Sequence, residues 1–526
     1  MFDIDFDVIS PKFWESSLVF LAVGLVVAFT ILSPWLHSER RLINGREGFE
    51  ILWTNAKKRY QTKGRSVMEA GFSKYSNAFY MVTDSGTEMV LSPRYVDEIR
   101  NDARLDFHKY MQTVLHGLRQ KGGEINRDLI QTKLTRSVGR LIGSISAEID
   151  DALHNRWEES EEWHEIVLLS VMIPVVAQGV SKMFVGDPLC RNNEWLGMIL
   201  SHTRSVQTAL RSLRLWPYLL RPLAAKFLPT CRQVFAEIEE ARRIINPVLE
   251  KKREEKRATI EKGESLSEPN TYMDWLEEAE TGGFYDPVVA QLKISMVAIH
   301  ATSDLLTQTI FSLCDSPELV KDLRAEAVTV IGTYGWGKEA MYNLKLMDSV
   351  LKETQRLKPM QISKPQYHAY SGSILLLTIS LYSTSDLTRL ALDRIKLSDG
   401  TEIPKGAKVL ISCHNMWDSS VYPNANQYDG RRFYNLRQRP GQENSAQLST
   451  PSAEHLGFGL GMYACPGRHI AATVMKVTLC HILLKYDFKL ADGCTPRVIE
   501  YGSFLLADPT ARILIKRRKE EIQLGS

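Results

Sequence analysis

Residues His455 to His469 read HLGFGLGMYACPGRH. Gly457, Gly459 and Gly461 precede Cys465, and Pro466-Gly467 follows it directly. Glycine admits positive φ and lets backbone approach a large flat object without a Cβ in the way. Beyond Gly467, the run RHIAATVMKVTLCHILLKY has the apolar spacing of an amphipathic helix. Cys465 is therefore presented at or just before a helix N-terminus, where the dipole and open N–H groups favour a thiolate. A thiolate held in this way suits an axial iron ligand. Two rival readings stand beside that one. A buried structural cysteine would have no need of three glycines ahead of it. A zinc site made from Cys465, His455 and His469 lacks a second cysteine pair.

The offsets Phe458-x-x-Gly461-x-x-x-Cys465-x-Gly467 resemble the haem-binding signature of the cytochrome P450 family. The resemblance implies a mainly α fold with small β-sheets and one N-terminal membrane helix. It also implies haem b held through Cys465, with Phe458, Gly461, Tyr463 and Gly467 around the cofactor. The family carries a Glu-x-x-Arg pair, supplied here by Glu353 and Arg356 on one helix face. Its third member would be Arg432, in the stretch YDGRRF. A Glu353–Arg356–Arg432 network would be structural, with buried charges satisfying one another beneath the haem.

The helix expected across the distal haem face matches Ile294 to Leu306, ISMVAIHATSDLL. Thr302 falls on the family's threonine position and is the candidate for oxygen handling and proton relay, with the Ser303 hydroxyl and water completing the path. The acid position is Ala301, so the usual carboxylate is absent. Asp304 stands about 300° further around the helix and His300 about 100° away. Packing or solvent contact is the role expected of His300. Tyr463 occupies a position where a basic residue would meet a haem propionate; a phenol donates one hydrogen bond without the charge. A second basic position, in DLIQTKLT, is Gln131, which leaves Lys133 or Arg127 for that contact.

Upstream, Ser17 to Trp35 reads SLVFLAVGLVVAFTILSPW, with no charge between Glu15 and Glu39. About 20 such residues span a bilayer core. The acidic opening MFDIDFDVISPKFWE disfavours a cleaved signal peptide. Arg40, Arg41 and Arg46 on the other side place the bulk of the chain in the cytoplasm. Residues 1–35 are thus expected to form a single-pass anchor in the endoplasmic reticulum membrane, and 36–526 one catalytic domain. Helical spacing recurs over Ala147 to Leu153, Val234 to Lys251, Pro287 to Leu313 and Asn343 to Leu357. Strand-like segments are Phe79 to Val82, Val409 to Ser412 and Phe488 to Leu490, and Glu261 to Asn270 reads as a loop.

One segment has no counterpart in the family. After Pro359 comes SKPQYHAYSGSILLLTISLYSTSDLT, and the resemblance resumes at Arg389-Leu390-Ala391-Leu392. Its apolar, β-prone run Ile374 to Leu381 is odd for a surface insertion. Ser363-Lys364 can be encoded with a donor-like GTAAG, and Ser385 to Arg389 can hide a CTGAC and a terminal AG. Residues 364–388 are therefore read as a translated intron rather than a true insertion.

The chain is 44% hydrophobic and 24% charged with a formal charge of +3, which gives no basis for a nucleic-acid partner. Seven cysteines, an odd count at irregular spacing, argue against a disulfide scaffold and suit a reducing compartment, six of them as small buried side chains. The runs LDRIKLSDGTEIPKGAKV, HNMWDSSVYPNANQYDGRRFYNLRQRPGQ and LCHILLKYDFKLADG are most similar to the filamentous-fungal microsomal type. That resemblance implies a monooxygenase inserting one atom of O2 into a terpenoid or indole-diterpene-like molecule. Electrons would come from NADPH through a flavin-containing reductase. Desaturation, rearrangement or multi-step oxidation is the alternative chemistry, and an inactive family member the alternative outside catalysis. Pocket residues are expected within Phe107 to Leu118 and at Phe504-Leu505.

Overall fold

The computed structural model describes residues 41–47, 50, 53–118, 127–216, 218–266, 268–279, 286–358, 387–502 and 504–523. The expected anchor and most of 364–388 lie outside these residues. No helix among the described residues is long and apolar enough to cross a membrane.

The long helices are α1 (Thr54–Lys74), α2 (Thr135–Trp157), α3 (Leu168–Phe184), α4 (Asn193–Arg214), α5 (Pro229–Glu261), α6 (Pro287–Cys314), α7 (Pro317–Tyr334), α8 (Lys345–Leu357) and α9 (Arg468–Lys485). Three of the four expected helical segments fall inside these helices, and the expected loop begins where α5 ends. Gly263, at φ +72°, turns the chain there, and the Glu264 N–H donates to Thr259 O at 3.1 Å. One boundary differs. The helix expected from Asn343 starts two residues later, because Leu344 adopts a non-helical ψ of 66°. The Glu326 carboxylate then accepts from the Leu346 and Met347 N–H groups at 2.6 and 2.9 Å, capping α8.

A six-stranded sheet is formed by β1 (Leu42–Ile43), β2 (Ala78–Thr83), β3 (Gly86–Leu91), β4 (Leu105–Asp106), β6 (Leu387–Ala391) and β7 (Lys408–Ile411), in the order β1-β2-β3-β7-β6-β4. A second sheet joins β5 (His164–Val167), β8 (Tyr486–Leu490) and β9 (Arg512–Arg517), in the order β8-β9-β5. In the first sheet β3 and β7 run parallel with Met89 opposite Val409, and β6 pairs antiparallel with β7, Leu390 opposite Lys408. The last two residues of the anomalous segment, Leu387 and Thr388, therefore begin a strand of the main sheet. The expected strands lie in β2, β7 and β8; Ser412, just past β7, still donates to Leu91 O at 3.0 Å.

Two apolar cores result. The larger lies among the helices and buries Trp157 and Trp195 completely, and the smaller lies on the first sheet around Phe79, Met81 and Ile411. Helices α6 and α9 are buried almost all round, as expected of elements that run through a core rather than along its surface. Asp286 caps α6 by accepting from the Val288 and Val289 N–H groups, with Pro287 at the first helical position.

Candidate functional site

The cysteine loop is closed by its own backbone. The Cys465 N–H donates to Phe458 O at 2.8 Å, and α9 begins three residues later at Arg468. Arg468 holds the loop from below, donating to Cys465 O at 2.9 Å and Ser449 O at 3.1 Å. Gly461 has φ +72°, and a Cβ there would lie 2.4 Å from Arg100 O. The next residue is pinned to the same place: the Met462 N–H donates to Asn101 Oδ1 at 2.8 Å. Gly457 is pressed against α8, where Gln355 Nε2 donates to its carbonyl at 3.3 Å. Gly467 differs, because an added Cβ would meet no protein atom within 4 Å.

Cys465 is half-buried, and none of the seven cysteines forms a disulfide. Cys190, Cys231, Cys413 and Cys480 are buried as expected, whereas Cys314 and Cys494 are only partly so. The zinc reading of the loop finds no support among the described residues. His455 is turned into α8 toward Lys352 O, His469 is exposed, and the three form no ligand cluster.

Tyr463 lies between two cations. The Arg389 guanidinium sits 4.4 Å from its ring centroid and that of Arg127 at 5.9 Å, with Phe107 and His108 at 6.0 and 5.8 Å. Arg389 is 5% exposed; its Nη1 donates to Thr388 O at 2.7 Å and its Nη2 has no partner among the described residues. Burial pulls its pKa down to about 10 and lowers that of Arg127 as well. Arg127 Nη2 reaches Ala464 O at 3.4 Å. Neither guanidinium pairs with a carboxylate among the described residues. Two partly desolvated cations on one phenol are costly unless an anion joins them. The propionates of a haem have the right charge and donor preference.

Of the two cations expected from the DLIQTKLT region, the structure places Arg127 and not Lys133 beside Tyr463. Lys133 and Gln131 are both exposed on the helical turn Leu129–Leu134, and Lys133 makes no contact with the cysteine loop among the described residues. Arg127 is the cation from that segment that reaches it. Arg389 was missed altogether, although a cation inside the apolar strand run LTRLA was a visible signal.

The expected support network is assembled. Arg356 Nε and Nη2 each donate to Glu353 at 2.8 Å, and Arg432 Nε reaches both Glu353 oxygens at 3.1 Å. The Asp429 N–H adds a third source of donors at 3.1 Å. Arg356 also caps the Met416 and Ala425 carbonyls, and Arg432 the Pro423 carbonyl. Glu353 and Arg356 are 0% exposed, and these bonds compensate their burial. The neighbouring Lys352 was not anticipated. Its buried ammonium donates to Ser445, Gln447 and Thr450 carbonyls, and burial lowers its pKa to about 7. Asp348 accepts from the Leu448 N–H at 2.7 Å and pairs with Lys476, tying α8 to the helix that follows Cys465.

On α6 the partly open residues of the central turns are Lys293, Val297, Ala298 and Ala301. Small side chains at 298 and 301 let a flat group come close to the helix. Thr302 stands one residue beyond, 4% exposed, and its hydroxyl has no partner among the described residues. Ser303 is fully buried and donates to Ile299 O at 2.8 Å. Of the two hydroxyls, only Thr302 has an uncommitted proton.

His300 is 5% exposed, which removes solvent contact from its expected roles; burial draws its pKa down to about 4. Asp304 is tied elsewhere, accepting from the Ala507 N–H at 2.7 Å and from Gln308 Nε2 at 2.5 Å. Phe504 and Leu505 belong to the ribbon that ends at this contact, so the expected pocket segment does pack on α6.

The cytochrome P450 family model matches residues 72–366 and 380–515. Among curated proteins, cytochrome P450 monooxygenase nodR of Hypoxylon pulicicidum is 79% identical over the whole of both chains. Cytochrome P450 monooxygenase esdpI of Penicillium shearii is 47% identical over 96% of this chain and 97% of its own, and cle2 of Aspergillus versicolor 43% over 95% and 93%. With the cysteine loop, its flanking guanidiniums and the buried Glu353 network in place, the chain belongs to the cytochrome P450 family and is a P450 monooxygenase.

Proposed function

We propose that this protein is a membrane-anchored fungal monooxygenase of secondary metabolism. It inserts one oxygen atom into a hydrophobic terpenoid or indole-diterpene-like molecule, drawing electrons from NADPH through a reductase. The observation that carries the reading is the half-buried Cys465 just before α9, with the buried Arg389 guanidinium 4.4 Å from the ring of Tyr463, two residues ahead of it. Haem b bound through Cys465 supplies the activation of O2 and the oxygen transfer. Arg389 and Arg127 would face its propionates, with Tyr463 as a phenolic donor between them. The Glu353–Arg356–Arg432 network fixes the Met416, Pro423 and Ala425 backbone and would support the cofactor's proximal side. Ala298 and Ala301 leave the distal side open, and Thr302 holds a proton there without competition from its own helix. His300, neutral above about pH 4, carries no charge into this region.

Membrane association has support beyond the N-terminal apolar run. Leu215, Leu219, Leu223 and Phe227 are each more than half exposed, with Trp216 at 44%. Exposed apolar side chains gathered in one stretch of chain suit a bilayer surface. The family match breaks between residues 366 and 380, inside the 364–388 segment read as a translated intron, which supports foreign sequence in its middle. Continuous reading through this segment in mature transcripts would sink it.

The activity test couples the purified protein to a fungal NADPH reductase and supplies a terpenoid panel under isotope-labelled O2. A product carrying one labelled oxygen is expected. Product formed with oxygen from water, or no oxygenated product from any member, counts against the reading.

A further inference from the structure

The turn between β2 and β3, Asp84–Ser85, gathers cations from separate parts of the chain. Asn44 Nδ2 donates to Ala56 O at 2.7 Å and to Val82 O at 2.8 Å, which holds the start of α1, and Lys57 with it, beside this turn. Arg214, the last residue of α4, pairs with Asp84, and Lys408 of β7 donates to Ser85 O at 2.8 Å. Arg221 opens the short helix Arg221–Phe227, its Nε donating to Trp216 O at 3.3 Å. Burial lowers the pKa of both lysines, and the charges of Arg221 and Arg214 push the same way against Asp84 and Glu88. Glu88 is a weak counter-charge, because it is buried and burial raises its own pKa. Among the described residues Lys57 makes no hydrogen bond or ion pair, and Arg221 pairs with no carboxylate. The cluster also stands at the root of the exposed apolar stretch. Arg214 immediately precedes Leu215, and Arg221 lies between Leu219 and Leu223.

We propose that Lys57, Arg214 and Arg221 bind the headgroup phosphate of an anionic phospholipid, with the exposed side chains of 215–227 in the acyl layer beside it. This rests on the membrane-associated reading above and names the lipid that the surface prefers. Partly desolvated cations in excess need negative charge and hydrogen-bond acceptors, and a phosphomonoester supplies both. Guanidiniums suit phosphate oxygens through their planar fork, and an ammonium adds a point charge. A free phosphate carries the same charge. The lipid is favoured because the two arginines alternate along the chain with exposed leucines, so that headgroup and acyl contacts come from one ligand. Each cation close to an anionic membrane surface is worth about fivefold in binding.

The test uses the full-length haem-loaded protein in detergent micelles. Its probes are phosphatidic acid and phosphatidylcholine with identical acyl chains, and inorganic phosphate. Native mass spectrometry reads the lipid retained at graded concentrations. Wild type should hold phosphatidic acid about twentyfold or more tightly than phosphatidylcholine. Lys57→Gln should lose about fivefold of that preference, and Lys57→Gln/Arg221→Gln should bring the two lipids within about twofold. Lys58→Gln, which removes an exposed cation one residue further along α1, should keep the preference. Lys57→Gln breaks no hydrogen bond among the described residues, so it should unfold at the wild-type temperature. It keeps the test decisive if the double variant does not fold. A wild type without preference, a preference that survives whole in Lys57→Gln, or one lost equally in Lys58→Gln overturns the proposal. So does inorganic phosphate competing as tightly as the lipid, which identifies a site for the free anion. Failure of wild type to enter phosphatidylcholine bilayers would instead overturn the membrane reading, and this proposal with it.

Discussion

Arg356→Met leaves the Glu353 carboxylate, 0% exposed, without its two 2.8 Å guanidinium bonds. Arg432 and the Asp429 N–H remain, both at 3.1 Å, and the carbonyls of Met416 and Ala425 lose a donor. Removing one partner of a buried pair costs about 3–5 kcal/mol. Each orphaned carbonyl adds about 1 kcal/mol, so the expected loss is about 5–7 kcal/mol. That is comparable with the whole stability of an ordinary domain, about 5–15 kcal/mol. Arg432→Met is milder. It leaves the Arg356–Glu353 pair intact, and its side chain is 13% exposed, so water can reach some of what it abandons. Its expected loss is about 1–3 kcal/mol. For a chain of 526 residues, an unfolding entropy of about 2.1 cal/mol/K per residue gives about 1 kcal/mol/K. Thermal unfolding followed by circular dichroism should therefore drop by about 1–3 °C for Arg432→Met and by about 5 °C or more for Arg356→Met, with poor yield of folded protein. Equal effects of the two substitutions would refute the argument, since only one of them strands a buried charge.

The remaining predictions concern the site and its titrating groups. Gly461→Ala should destabilise the protein itself, because φ is +72° and Arg100 O stands in the way, whereas Gly467→Ala should spare the fold and weaken only haem retention. Thermal unfolding of the haem-free proteins separates the two, and equal destabilisation would contradict the assignment. Arg389→Met should lower haem affinity while leaving the haem-free protein as stable as before or more so, since it removes a buried orphan; haem titration and unfolding measure both. Asp304 has its pKa raised by burial to about 6, above its unfolded value of 3.8. Its contribution is therefore most favourable below pH 3.8 and is lost as pH rises through 6. Asp304→Asn should be the more stable protein at pH 7.5 and lose that advantage on acidification. For His300 burial lowers the pKa to about 4 from 6.5, so its contribution is complete above pH 6.5 and lost as pH falls through 4. His300→Gln should close the gap to wild type over that interval.

The sequence made the proximal side legible because its constraints are local. Gly461 needs a positive φ, Cys465 sits beside a helix start, and the Glu353–Arg356 pair lies at i,i+3 on one helix. Arg432 could be found because it, too, follows a motif at fixed spacing. What escaped depends on contacts far apart in the chain. Arg389 meets Tyr463 and Arg127 only after β6 joins the main sheet, so the choice between Lys133 and Arg127 had no local signal. Lys352 looked like an exposed helix lysine, yet three carbonyls of the 445–450 loop surround its ammonium. On α6 the hydroxyls of Thr302 and Ser303 read alike, and only the bond to Ile299 O tells them apart.

The central claim is that Cys465, as a thiolate, holds the haem iron. The most direct measurement is the absorption spectrum of the reduced, carbon-monoxide-bound protein, taken for wild type and for Cys465→Ala under the same loading. Wild type should give the Soret band of a thiolate-ligated haem and Cys465→Ala should lack it. A thiolate band that persists in Cys465→Ala would contradict the account.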